Sequence, residues 1–172
     1  EIISIHLSSN LSGTVNAAWI AAESFKAKVH VVDSKTISLG IGLMVNEAAV
    51  SIREGLNTKQ VLERIHNARK NIETIFTLNT LEYLQKGGRI GKVAGMVGSL
   101  LNIKPVISVN EEGIYVPAGK VRSQDKAFEQ IIHNLQEFAG NRKVKALAIA
   151  HGAAQEAANK LKSALETTFG IS

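Results

Sequence analysis

A turn rich in hydroxyl side chains, Ser8-Ser-Asn-Leu-Ser-Gly-Thr14, lies between an apolar run and an Ala-rich stretch. Free backbone N–H groups at a helix start, aided by the helix dipole, bind carboxylate or phosphate without a metal ion. In an α/β sheet such a turn lies beyond the carboxyl ends of the strands, where ligands bind. Ser12, Gly13 and Thr14 are therefore candidate anion-binding residues. The pattern alone favours a purely structural role, in which Ser12 caps the helix and Gly13 allows the turn.

A second candidate is Gly87-Gly88-Arg89. The two glycines free the backbone, and the Arg89 guanidinium can present a planar fork of donors to an anion. A helix end followed by a solvated arginine explains the same residues. The surrounding stretch has more basic than acidic side chains, namely Lys86, Lys92, Lys104, Lys120 and Arg122 against Glu111 and Glu112. This stretch fits either a docking face for a phosphate-bearing partner or a solvated surface.

The sequence lacks the motifs of common catalytic sites. Gly113 to Lys120 resembles a phosphate-binding loop but has five residues between its glycines, and Val121 replaces the Ser or Thr that holds magnesium. Gly40-Ile-Gly42 lacks the third glycine of a dinucleotide fingerprint. The histidines show no metal-ligand spacing, although His151 ends an expected strand and could reach a ligand or serve the structure. We therefore expect no catalytic set and no cofactor.

Composition narrows the function further. The chain has 172 residues, is 45% hydrophobic, carries a net charge of +5 and contains no cysteine. Absence of cysteine excludes disulfides and thiol catalysis and suits a reducing cytoplasm. The aromatic share of 5% is small for stacking nucleic-acid bases, and no apolar run reaches the ~18 residues of a membrane span. We expect a cytoplasmic protein with no transmembrane segment and no nucleic-acid partner.

The positions of the apolar residues predict an α/β fold. The order of its elements changes near residues 73–80, from alternating strands and helices to an α+β pattern. The first half alternates strands and helices, as in a parallel sheet. Its elements are a strand at 1–7, a helix at 15–25, a strand at 28–32, a helix near 40–52 that ends at Gly55, and a helix from 57–58 through Ile65. Ser38 is expected to cap the second of these helices.

The second half has the pattern of an α+β unit. Strands at 104–109 and 114–118 flank Asn110-Glu-Glu-Gly113 and predict an antiparallel hairpin. The other elements are a short helix at 81–86, a helix that Ser123 caps and Gly140 ends, a strand at 144–150 and a helix at 153–169. We therefore divide the chain into a parallel α/β domain at 1–76 and an α+β domain at 77–172.

Five pieces of this sequence, in order, resemble the DegV family. They are Ser8-Ser-Asn-Leu-Ser-Gly-Thr14; Val32-Asp-Ser34; Ser38-Leu-Gly-Ile-Gly42; Leu81-Glu-Tyr-Leu-Gln-Lys-Gly-Gly-Arg-Ile90; and Leu100-Leu-Asn-Ile-Lys-Pro105, ahead of Gly113 and Lys120-Val-Arg122. The likeness is continuous to about residue 125 and looser beyond. Since the first strand begins at residue 1, we expect a fragment that lacks the N-terminal part and the C-terminal end of that family's two-domain architecture.

The resemblance implies a bacterial, non-catalytic lipid-binding protein of phospholipid metabolism. Such a protein encloses a long-chain fatty acid between its two domains and presents the carboxylate to a fatty acid kinase catalytic subunit, which forms the acyl-phosphate. Ser12 would hydrogen-bond the carboxylate beside Gly13 and Thr14, and Arg89 and Arg122 would lie on the face that docks the kinase. The resemblance leaves transient membrane contact open.

Two other hypotheses about the function stay open. One is a fragment of an anion- or nucleotide-binding enzyme related to dihydroxyacetone-kinase-like proteins, whose catalytic residues lie in segments outside this chain. The other is a nucleic-acid-binding module, which would lose its affinity steeply with added salt. The small aromatic content argues against the module.

Overall fold

A computed structural model describes residues 1–96 and 103–171 of the chain. The fold is mixed α/β and consists of two small sheets with helices packed on them. In order, the elements are β1 (Ile2–His6), α1 (Thr14–Ala22), β2 (Val29–Asp33), α2 (Ser38–Arg53), α3 (Thr58–Arg69), β3 (Ile75–Thr77), α4 (Glu82–Lys86), a 3₁₀ helix (Gly91–Met96), β4 (Lys104–Val109), β5 (Tyr115–Val121), α5 (Gln124–Ala139) and α6 (Gln155–Phe169). No helix in these two ranges is both long and apolar enough to cross a membrane.

The first sheet is a parallel pair joined through a helix. β1 and β2 pair from Ile2 opposite Val29 to His6 opposite Asp33, and α1 connects them. The core beneath this sheet is formed by β2, α2 and α3 and contains Val32, Met44, Ala48, Val61 and Ile65. Since both strands run the same way, their carboxyl ends and the turns that follow them lie at one edge of the sheet.

Helix ends in the first half follow from local residues. Gly55 has φ +81°, a left-handed conformation that ends α2 and that glycine adopts without steric cost. Asn57 then begins α3, because its side chain accepts from the N–H of Gln60 while the Gln60 side chain accepts from the N–H of Asn57. α2 starts at Ser38, two residues before the expected Gly40. The predicted Ser38 cap is wrong, because Ser38 is the first helical residue and Ile37 stands at the N-cap without a side-chain bond.

The second sheet is antiparallel, in the order β3-β4-β5. One face packs on α5, whose inner side supplies Ala127, Phe128 and Ile131 to a core with Val106. On the other face Ile107 packs with Val93 of the 3₁₀ helix. The predicted hairpin is confirmed, with pairs from Lys104 opposite Val121 to Val109 opposite Tyr115. The Ser123 cap is confirmed as well, since its hydroxyl accepts from the N–H of Lys126 at 3.3 Å.

The predicted strand at 144–150 is wrong. Residues 143–150 form neither strand nor helix, although α5 before them and α6 after them are in place. A strand exists only where its N–H and C=O groups meet those of a neighbour, and within the described ranges nothing pairs with this segment. The apolar residues at 144–150 indicate a preference for burial, but sequence pattern alone cannot supply the partner.

The position of β3 bears on the division into two domains, which remains a prediction. Ile75 and Phe76, which that division assigns to the first domain, pair with Ser108 and Ile107 of the second sheet. The second sheet therefore begins two residues before the predicted boundary.

Candidate ligand-binding site

Ser8 organises the turn between β1 and α1. It is fully buried, and its N–H donates to the carbonyl of Thr36 at 2.9 Å. Its carbonyl accepts from the N–H groups of Leu11 at 3.0 Å and Ser12 at 3.1 Å, and its hydroxyl accepts from the N–H of Asn10 at 3.2 Å. One small residue therefore binds three of the next four backbone N–H groups, and the Ser8–Thr14 loop has a defined shape at the carboxyl end of β1.

The three predicted anion-binding residues lie together at the start of α1. Gly13 is the N-cap residue and Thr14 begins the helix, so the predicted capping by Ser12 is wrong by one position. Ser12 Oγ instead accepts from the N–H of Thr14 at 3.2 Å and hydrogen-bonds Thr14 Oγ1 at 2.7 Å. In the described part of the chain, the exposed Gly13 and Asn16 donate their N–H groups to no acceptor. Two hydroxyls and two backbone donors at a helix N-terminus form an arrangement that suits a carboxylate.

The carboxylate of Asp33, at the end of β2, stabilises the Ser8–Thr14 loop by hydrogen bonds. Asp33 Oδ1 accepts from the N–H groups of Ser9 at 3.2 Å and Lys35 at 3.0 Å, and Asp33 Oδ2 pairs with Lys35 Nζ at 2.8 Å. Partial burial by itself would raise the pKa of Asp33. The hydrogen bonds from Lys35 and Ser9 outweigh it and hold the pKa below its usual value. Asp33 is therefore ionised and acts as a structural acceptor for the loop.

The hairpin turn of the second sheet touches this loop directly, a contact that sequence reasoning missed. Gly113 has φ +78°, and a Cβ placed on it would lie 2.1 Å from Ser8 Oγ and 3.0 Å from Lys35 Cα. Beside it, Asn10 Nδ2 donates to the carbonyl of Glu112 at 2.7 Å. The two halves of the protein therefore meet at the carboxyl ends of β1 and β2. The sequence shows Gly113 in a turn, but it does not show that this turn contacts Ser8.

A large trough lies between the two halves, with a volume of about 1680 Å³. Its wall combines residues that follow β2, residues of β3, the inner sides of α5 and α6, and the irregular segment at 143–150. The apolar side chains of this wall include Leu39, Leu43, Ile72, Ile75, Phe76, Phe128, Ile131, Leu135, Leu165 and Phe169. Ser12, Gly13 and Thr14 are not on the wall. Residues 34–37 join the two features, because Thr36 binds Ser8 and Ile37 lines the trough.

Polar and charged side chains also line the trough, among them Glu47, Arg64, Asn71, Glu73, Arg142, Lys143 and Lys145. Burial raises the pKa of Glu73, and the nearby positive charge of Arg69 acts in the opposite direction. Thr36 Oγ1 and Thr74 Oγ1 bond each other at 2.9 Å, whereas the buried Thr77 Oγ1 has no partner in the described ranges. His151 also lines the trough, and its Nδ1 accepts from the N–H of Ala154 at 3.2 Å, a contact that supports the start of α6. The trough therefore carries both an apolar surface and polar groups along its wall.

The predicted docking residues lie in the second half, on separate elements. Arg89 follows α4, is exposed and donates through Nη1 to the carbonyl of Gly87 at 2.6 Å. Arg122 is exposed just after β5. Two of the basic neighbours are engaged locally, since Lys86 pairs with Glu82 at 2.6 Å and Lys104 donates to Asn79 Oδ1 at 2.6 Å. Both arginines are therefore exposed on the surface, as docking would require.

Comparisons with known proteins identify the family of this chain. The family model described as "Uncharacterised protein, DegV family" matches residues 1–172. The chain belongs to the DegV family. A DegV domain-containing protein of Staphylococcus aureus is 35% identical over 171 residues, which make up 99% of this chain and 61% of the relative. The chain thus spans about three fifths of the length of the curated relatives that it matches first.

Solved DegV structures share the fold. A DegV family protein of Thermus thermophilus, described in terms of fatty acid binding, is 40% identical with a TM-score of 0.77 over 82% of this chain and 50% of its own. A DegV family protein of Ruminococcus gnavus, described with vaccenic acid, is 27% identical with a TM-score of 0.88 over 99% of this chain and 63% of its own. Among residues 1–96 and 103–171 of the present chain, no group of three or more acidic or histidine side chains is placed to hold a metal ion.

Proposed function

We propose that this protein binds one long-chain fatty acid, with the carboxylate at Ser12, Gly13 and Thr14 and the acyl chain between the two halves. The observation that carries the proposal is a pair of neighbouring features. A loop with free N–H groups and hydroxyls lies at the carboxyl end of β1, and residues 34–37 connect it to an apolar trough. An anion-binding loop beside an apolar cavity matches the two chemical parts of a fatty acid.

The burial energy of an acyl chain and the volume of the trough are both consistent with binding of one fatty acid. Burial of an acyl chain contributes about 0.8 kcal/mol per methylene that leaves water. The trough, at about 1680 Å³, exceeds the roughly 300–1,000 Å³ of ordinary ligand pockets, so one acyl chain leaves part of it to water. The fatty acids bound by the Thermus and Ruminococcus relatives support this ligand class for the present chain.

The test is the substitution Ser12→Ala, with Ser123→Ala as the matched control. Loss of a hydrogen bond to a charged carboxylate, worth about 1.5–3 kcal/mol, should weaken the affinity for oleate about ten- to a hundredfold. Ser123 caps α5 away from the loop, so its loss should lower stability by about 1 kcal/mol and leave affinity unchanged. Titration with a fluorescent fatty acid and thermal melting are measured on the same samples. Unchanged affinity in Ser12→Ala would contradict the assignment of the carboxylate.

We further propose that the protein is not itself a catalyst and presents the carboxylate to a cytoplasmic, ATP-dependent fatty acid kinase subunit that docks at Arg89 and Arg122. Exposure of both arginines supports this proposal. Charge reversal at either, Arg89→Glu or Arg122→Glu, should slow acyl-phosphate formation, and more strongly at low ionic strength. The control Lys126→Glu reverses a charge on α5 outside the basic stretch and should leave the rate unchanged. Normal turnover of both arginine variants at low salt would refute the docking face.

A further inference from the structure

Arg69, in the last turn of α3, bonds three backbone carbonyls from separate segments. Its Nε and Nη2 donate to the carbonyl of Lys35 at 3.2 Å and 2.9 Å, and Nη1 donates to the carbonyl of Ile72 at 3.1 Å. Nη2 also donates to the carbonyl of Asn110 at 2.9 Å. The guanidinium therefore connects the first half of the protein, through Lys35, with the hairpin turn of the second half, through Asn110.

The carbonyls of Lys35 and Asn110 belong to the two segments that contact the Ser8–Thr14 loop. Lys35 adjoins the Asp33 network that braces Ser9. The carbonyl of Asn110 also accepts from the N–H of Gly113 at 2.9 Å, so Arg69 bonds the group that closes the turn. Gly113 in turn packs on Ser8, whose hydroxyl and carbonyl bind the N–H groups of the loop. A continuous set of contacts runs from Arg69 to the loop.

We propose that Arg69 is a positioning residue for the Ser8–Thr14 loop. It holds the 110–113 turn against Ser8, and the ligand leaves when this contact opens. The effect on ligand exchange rests on the proposed function. The positioning of the loop by Arg69 does not depend on any ligand. Arginine suits the role because its planar fork reaches carbonyls in several directions at once, which a lysine ammonium on a shorter side chain cannot reproduce.

The chain contains no cysteine, so two spin labels can be attached at introduced cysteines without background labelling. The exposed residues Lys59 on α3 and Gln136 on α5 place one label on each half. Double electron–electron resonance then measures the distance between the halves in the ligand-free protein. Arg69→Gln should broaden the distance distribution, with Arg69→Lys between it and the wild-type residue. An unchanged distribution in Arg69→Gln would overturn the positioning role.

A matched control lies on the same helix. Arg64 pairs only with Glu47 and Glu54 of the first half among the described residues, so Arg64→Gln removes an arginine without touching the hairpin turn. Its distance distribution should match that of the wild type. If Arg69→Gln does not fold, Asn10→Ala provides the second test, because it removes the exposed bond to Glu112 and should broaden the distribution to a smaller extent. A narrow distribution in Asn10→Ala would then overturn the proposal.

The consequence for ligand exchange is measured separately by stopped-flow release of a fluorescent fatty acid. Arg69→Gln should accelerate dissociation about tenfold or more, while Arg53→Gln, at an exposed arginine of α2 that is not on the trough wall, should not. Broadened distances with an unchanged dissociation rate would overturn the exchange step. If the wild-type protein binds no fatty acid, the proposed function fails, and the distance measurement still decides the positioning role.

Discussion

The Ser8–Thr14 loop and the segment at 143–150 both lie outside helices and strands, but their backbones are bonded in different ways. In the loop, Ser8 and Asp33 take up the N–H groups of Ser9, Asn10, Leu11 and Ser12. In the segment at 143–150, no backbone N–H reaches an acceptor within the described ranges. The irregular backbone of the loop is therefore held in one shape by short polar side chains that bond it, and the backbone of residues 143–150 lacks such side-chain acceptors within the described ranges.

The largest difference in stability is expected between two proline substitutions in the second half. Ser108 lies in β4, the central strand, whose backbone pairs on both sides, so Ser108→Pro should cost about 3 kcal/mol or more. Ala148 lies in the unpaired segment, so Ala148→Pro should cost less than about 1 kcal/mol. Urea unfolding of both variants gives the two values. Equal losses would show that residues 143–150 form a ladder after all.

The contact between the loop and the second sheet is tested by Gly113→Ala. The new methyl group would overlap Ser8 Oγ in a backbone conformation with positive φ, so we expect a loss of about 2–4 kcal/mol. Gly152→Ala is the matched control, because no atom lies within 4 Å of a Cβ built there, and it should be nearly neutral. The free energy of unfolding of each variant is measured at neutral pH. A neutral Gly113→Ala would place the hairpin turn away from Ser8.

The smallest expected effect is electrostatic and depends on pH. Because the folded protein lowers the pKa of Asp33, the stabilisation by this carboxylate is present above its ordinary pKa and is lost as the pH falls through the folded pKa. Asp33→Asn should thus cost about 1–2 kcal/mol at neutral pH and progressively less in acid. Asp125→Asn is the control, since its pair with Lys160 is exposed and worth little. A cost for Asp33→Asn that did not change with pH would contradict the ionised acceptor.

Much of this fold could be predicted from local residues. Gly55, Asn57 and Ser123 define helix ends through bonds to their own neighbours in sequence, and the hairpin at 110–113 follows from two strand-like runs around a polar turn. The predicted caps at Ser38 and Ser12 are each wrong by one position, whereas the wrong strand has a cause that lies outside the local sequence. The strand expected at 144–150 needs a partner from elsewhere in the chain, and pattern alone does not say whether one exists.

In the candidate site too, residues with a local sequence signal could be predicted and residues in long-range contacts could not. Ser12, Gly13 and Thr14 were candidates because their types and spacing are typical of an anion-binding turn, and their binding of a carboxylate stays a prediction. Arg69 and Gly113 were missed as parts of the site, because their contacts with residues near the loop join positions more than 30 residues apart. A positively charged residue at the end of a helix predicts nothing about which carbonyls it meets. Such contacts become visible only when the two halves are placed together.

The central claim is that the fatty-acid carboxylate binds at the Ser8–Thr14 loop and not at the polar groups of the trough. We would measure amide chemical shifts by nuclear magnetic resonance during titration with oleate labelled with ¹³C at the carboxyl carbon. Binding at the loop should give large shifts for the N–H groups of Gly13, Thr14 and Asn16 and dipolar contacts between these protons and the labelled carbon. Large shifts and contacts confined to Glu73, Thr77 and residues 143–150, with Gly13 and Asn16 unmoved, would contradict it.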